Sequence, residues 1–176
     1  MADNKPALLG KLRPLPQPPL IRTRYPVVLM HGFGALAGIR RGGHLHEEAM
    51  YLRGHGVIAY APNVAPYSTV RSRSSTWKRH LNTILDESGA ERLNLIAQSM
   101  GGLDARYLIS RLGMAEKIAS LVTISTPHHG SSIAEFVLQQ PQRIREWAAS
   151  VADWMGTKTL PEESADAMKA VEEFTP

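Results

Sequence analysis

The chain has 176 residues, 43% of them hydrophobic, a formal net charge of +4 and no cysteine. That length and composition fit one globular domain with a real core and exclude a disordered chain. Disulfides and thiolate metal sites are excluded, and no apolar run approaches the roughly 18 residues of a membrane span.

Residues 5 to 26 carry Pro6, Pro14, Pro16, Pro18, Pro19 and Pro26. Such density prevents a helix and favours an extended strap, which sets residues 1–24 apart as an N-terminal segment. Met1 to Pro6 lacks a charged stretch followed by an apolar one and a small-residue cleavage site. That predicts no signal peptide and a cytoplasmic location.

From Pro26 a regular alternation predicts four strands and three helices. Val27–Met30 reads as a buried strand, leading into His31-Gly32-Phe33-Gly34. A helix is expected over His44–Arg53 and a second strand over Val57–Tyr60. Thr76–Glu87 reads as a helix, with Trp77, Leu81, Ile84 and Leu85 on one stripe and Gly89 after its end. Leu93–Ala97 is the third strand, Gly101–Leu112 a helix stopped by Gly113, and Leu121–Ser125 the fourth strand. This order implies an α/β fold, a parallel sheet with helices on both faces. The unbroken apolar runs predict strands buried on both sides. The basic residues are scattered, apart from Arg71-Ser72-Arg73 with Lys78-Arg79, which reads as a solvated helix face. Nothing gathers positive charge as a nucleic-acid surface would, so no nucleic-acid partner is expected.

After Gly130 the pattern turns helical. Ser132-Ile133-Ala134-Glu135 reads as a capping box. Ile144, Trp147, Val151 and Trp154 then recur at spacings of three and four. Thr159-Leu160-Pro161-Glu162 reads as another helix start, and Ser164, Met168, Val171 and Phe174 lie near one stripe. The expected layout is a partial α/β core over 25–131 followed by amphipathic helices over 132–176.

In such sheets sites lie beyond the carboxyl ends of the strands. Three strand ends carry suggestive loops: His31–Gly34, Gln98–Gly101 and Thr126–Gly130. Leu93 to Gly102 has the form of a nucleophile elbow, a strained strand-to-helix turn that exposes one hydroxyl. Ser99 would be the nucleophile, with the Met100 N–H turned toward the developing oxyanion. The Gly-rich loop after the first strand suits a second donor, for which the Phe33 N–H is the candidate. His31, Gly32 and Gly101 read as support for these loops. The competing reading is that Ser99 merely caps the next helix.

Three stretches together carry a resemblance: Tyr25–Gly34, Ala97–Tyr107 and Val122–Ser131. They resemble the α/β-hydrolase triacylglycerol lipases of bacteria, in order and spacing, over about residues 25–135. The resemblance implies hydrolysis of acyl-lipid or similar apolar esters through an acyl-serine intermediate, without a cofactor or metal. It implies that Ser99 is the nucleophile and that Phe33 and Met100 supply the oxyanion N–H groups. It also implies that the helices over about 132–174 form a lid above an acyl pocket, able to touch a lipid interface. Ala97 replaces the first glycine of the usual pentapeptide, and Gln98 stands where a histidine is frequent.

Triad order in this fold is Ser, then Asp or Glu, then His, yet no histidine follows His129. The resembling lipases place the base and its acidic partner after later strands. His128 and His129 are the candidate substitute bases, while the same loop also reads as pocket wall. Asp104 is expected to serve the helix N-terminus or a neighbouring Arg, and Asp153 and Asp166 to be solvated. An unpaired fourth strand and the missing base lead to the expectation that the chain is the first part of a longer lipase. Two alternatives share the same residues: a catalytically incomplete chain that binds an apolar ligand or partner, and an acyltransferase.

Overall fold

In the computed structural model the described residues are 19–34, 43–144, 146, 150 and 166–173. They form a four-stranded parallel sheet in the order β2-β1-β3-β4. The strands are β1 (Val27–Met30), β2 (Ala59–Tyr60), β3 (Leu93–Gln98) and β4 (Ile118–Ile124). The helices are α1 (His46–Gly54), α2 (Val70–Ser88), α3 (Met100–Arg111), α4 (Ser132–Leu138) and a short α5 (Ala167–Glu172). No described helix is long and apolar enough to cross a membrane.

Two apolar layers sandwich β1. Val28 and Met30 join Leu93, Leu95 and Ala97 of β3 against Trp77, Leu81, Ile84 and Leu85 of α2 and Leu108 of α3. Val27 and Leu29 point the other way, onto Ala49 of α1 and Ala59 of β2. The period of two along β1 thus serves helices on both faces.

Burial on both sides fails toward the edge. All four β1 residues are buried, whereas every β4 residue is half-buried or exposed. Val122 and Ile124 are 52% and 49% exposed, because α1 packs over β1 and β2 and stops short of β4. The second strand is also shorter than expected. Only Ala59 and Tyr60 pair, with Val27 and Val28, and Ile58 is exposed.

The largest correction concerns α2. It begins at Val70, capped by the Thr69 hydroxyl, which accepts from Ser72 N–H. The expected start at Thr76 was late because the first turns bury Arg73 and Ser74 rather than apolar side chains. The basic cluster is not a solvated face as a whole. Arg71 and Arg79 are exposed, but Arg73 is fully buried. The Gly89 stop holds, with the glycine left-handed at φ 63°.

Within α5 the buried residues are Ala167 and Ala170, with Met168 and Val171 half-buried beside them. Ile144 is exposed. Residues 1–18 of the Pro-rich segment lie outside the described residues, as do Trp147, Val151, Asp153, Trp154, Thr159, Leu160, Pro161, Glu162, Ser164 and Phe174.

Candidate active site

Ser99 sits between β3 and α3 with φ 52° and ψ −126°. A non-glycine residue at positive φ stores on the order of 1–3 kcal/mol and persists only where its surroundings over-determine it. Those surroundings are present. Ser99 N–H donates to Ile124 O at 2.8 Å, and Ser99 O accepts from Gly102 N–H at 3.0 Å and from Thr126 Oγ1 at 2.9 Å. Its hydroxyl makes no capping hydrogen bond to α3. A serine held only as a cap would spend its oxygen on those N–H groups, so the geometry is that of a displayed hydroxyl.

Three glycines let other chain segments reach this turn. A Cβ on Gly32 would lie 2.7 Å from Ser99 Cβ and 3.1 Å from Ser99 Oγ. One on Gly101 would lie 2.6 Å from Met30 O, and one on Gly102 would fall 2.1 Å from Thr126 Oγ1. The loop after β1 therefore lies directly on Ser99, and the Thr126 loop on α3. Met100 opens α3, where the first N–H groups have no acceptor within the helix. The Phe33 ring stands edge-on to Tyr67 at 5.1 Å.

His31 is 1% exposed, and both its ring nitrogens are engaged. Val64 N–H donates to Nε2 at 3.1 Å, which leaves the proton on Nδ1 for Gly32 O at 2.9 Å. Burial, aided by the Arg73 guanidinium, holds its pKa down at about 3. A neutral ring with both nitrogens engaged supports the loop and is no base for Ser99.

Arg73 is the hub behind the site. Its Nε and Nη2 each lie 2.9 Å from Asp104 Oδ2, Nη1 donates to Ala65 O at 2.8 Å and Nη2 to His31 O at 2.7 Å. Trp77 Nε1 donates to the same Asp104 oxygen at 3.1 Å. Asp104 thus serves a neighbouring Arg, as expected. Burial pushes its carboxyl up to about 6 against the opposing pull of Arg73, and its Oδ1 has no partner among the described residues. Arg73 and Trp77 were missed as site residues. The available signal was their spacing: Arg73 stands four residues before Trp77, on the same stripe as Leu81 and Ile84.

His128 and His129 are both exposed. Arg106 Nη1 donates to His128 Nδ1 at 3.1 Å, which leaves Nε2 to donate to Thr123 Oγ1 at 3.2 Å. Among the described residues, neither histidine hydrogen-bonds Ser99. Asp166 caps α5 and pairs with Lys169 at 2.8 Å, remote in role from any triad. Helices α4 and α5 bring Ala134 and Ala170 onto Met100, with Phe33, Val70, Leu103 and Val171 packed around them.

The chain is 34% identical over 122 residues to a triacylglycerol lipase of Pseudarthrobacter phenanthrenivorans, covering 65% of this chain and 37% of that one. It is 30% identical over 115 residues to a triacylglycerol lipase of Pseudomonas fragi, covering 65% and 39%. The chain thus spans little more than a third of the length of these relatives. Among solved structures, a metagenomic carboxyl esterase, MGS0156, superposes with a TM-score of 0.64 at 16% identity, over 99% of this chain and 48% of that one. The propeptide form of the Bacillus licheniformis lipase BlEst2 superposes with a TM-score of 0.61 at 22% identity, over 90% and 32%. The model of the alpha/beta hydrolase fold family matches residues 25–163. The chain belongs to the alpha/beta hydrolase fold family.

Proposed function

We propose that this chain carries the nucleophile and oxyanion elements of a serine ester hydrolase acting on apolar acyl esters. Ser99 Oγ attacks the acyl carbon as a base takes its proton; the acyl C–O bond breaks, the alcohol leaves with that proton, and water then cleaves the acyl-enzyme to the free acid, while the Met100 and Phe33 N–H groups hold the oxyanion at each stage. Helices α4 and α5, packed on Met100, act as the lid. The observation that carries this reading is the backbone of Ser99, at φ 52° and ψ −126°, with its hydroxyl free of the helix. Triacylglycerol lipases among the relatives support the choice of ester and of an acyl-lipid substrate. The base must reach Ser99 Oγ; His128 and His129 follow the adjacent strand at its carboxyl end, and His128 would first have to leave Arg106 and Thr123.

The test is hydrolysis of p-nitrophenyl butyrate by the chain and by Ser99→Ala. The reading requires a rate that falls to background in the variant. Equal rates in both would remove it. His128→Ala and His129→Ala, assayed alongside, show whether either histidine takes the proton.

One observation favours a second reading, a chain that binds an apolar ligand without turning it over. Leu29, Leu45, Tyr51, Leu52, Ile96 and Ile124, with Glu47, Glu48 and Gln98, line a largely apolar groove of about 630 Å³. On that reading a fatty acid binds equally to the chain and to Ser99→Ala, and neither hydrolyses the ester.

A further inference from the structure

Arg73 and Asp104 form an ion pair with both side chains fully buried. A buried ion pair is seldom the most stable filling for its site, since apolar residues of similar volume do as well or better. Asp104 Oδ1 has no partner among the described residues, which makes this pair a poorer filling still. The contacts instead join segments that meet at the site. Asp104 belongs to α3, the helix that Ser99 and Met100 open. The His31 carbonyl held by Arg73 immediately precedes Gly32 and Phe33. Ser74 Oγ ties α2 to the same place through Asp104 O at 3.2 Å.

We propose that Asp104 is a positioning residue: through Arg73 it holds the loop that carries the Phe33 N–H in register with the helix that carries Ser99 and the Met100 N–H. An oxyanion hole built from two separate segments works only if their N–H groups keep a fixed separation, because the donors must fit the oxyanion and not the ground-state carbonyl. Asp104 sets the guanidinium, and the guanidinium sets the loop. The catalytic consequence rests on the proposed role of Ser99; the bracing itself does not.

The variants are Arg73→Met/Asp104→Leu, which replaces the pair by apolar side chains, and Asp104→Asn, which removes the charge and keeps the shape. Three quantities are read: melting temperature, amide hydrogen exchange over His31–Gly34, and kcat and KM for p-nitrophenyl butyrate. The double variant should melt no lower than the unsubstituted chain. Its exchange over His31–Gly34 should quicken about tenfold relative to β3. Its kcat should fall about 100-fold with KM within about twofold, the signature of an interaction made in the transition state. Unchanged exchange and unchanged kcat in a folded double variant would overturn the proposal and leave the pair as packing. If the double variant does not fold, Asp104→Asn carries the same comparison. If Ser99→Ala hydrolyses the ester as fast as the unsubstituted chain, the functional reading falls, and the exchange data alone decide whether Asp104 braces the loop.

Discussion

Gly32 lies so close to Ser99 that a Cβ at position 32 would sit 2.7 Å from the serine Cβ and 3.0 Å from Gln98 O. Neither neighbour is the far end of a flexible side chain, so Gly32→Ala must push the loop or the turn aside. We expect a loss of about 1–3 kcal/mol in urea unfolding, the usual cost of overpacking. Turnover should fall further than stability predicts, because the displaced segment carries the Phe33 N–H. An alanine variant with full stability and full activity would contradict the close approach.

Two buried groups oppose each other in acid. His31 has a pKa of about 3 in the fold against its ordinary 6.5, so its contribution is whole above pH 6.5 and lost as pH falls toward 3. Asp104 runs the other way. Its pKa of about 6 lies above the ordinary 3.8, so its contribution is present in acid and lost as pH rises through about 6. Between about 4 and 6 the two slopes offset one another. Asp104→Asn removes one of them. Its stability should then fall more steeply on acidification across that window than that of the unsubstituted chain. Urea midpoints at several pH values check this; a flat profile in the variant would contradict it.

Removing only one member of the buried pair is a different experiment from removing both. Arg73→Met leaves the Asp104 carboxyl buried without its counterion, so that it must take up a proton or stay charged unpaired, which should cost about 3–5 kcal/mol. Arg73→Met/Asp104→Leu should recover that loss in full. Equal destabilisation of the single and double variants, measured by urea unfolding, would show that Asp104 was not the reason for the cost.

The start of α2 can be checked from its cap. Thr69→Ala removes the oxygen that accepts Ser72 N–H at 3.3 Å and should cost about 1 kcal/mol. A helix beginning at Thr76 would leave position 69 indifferent.

The elements that could be read from the sequence are those whose burial is apolar. Val27–Met30, the alternate residues Leu93, Leu95 and Ala97, and the stripe of Trp77, Leu81, Ile84 and Leu85 are buried, while Asn94 and Ile96 are half-buried. The elbow could be read because its strand, serine and glycines are contiguous. Arg73 could not, because its burial depends on Asp104, 31 residues away in the chain, and on the His31 carbonyl, 42 residues away. Local hydropathy counts such a residue as surface. The exposure of Val122 and Ile124 was hidden for the converse reason: an apolar run says what a strand can bury, not what lies over it.

Everything proposed for the site depends on Ser99 being a nucleophile. The most direct measurement is covalent labelling of the chain with an alkyl fluorophosphonate, with the adduct located by peptide mass. One adduct is expected, on Ser99, absent from Ser99→Ala and slowed in Asp104→Asn. A chain that takes no adduct at Ser99, or takes the same adduct in Ser99→Ala, would contradict it.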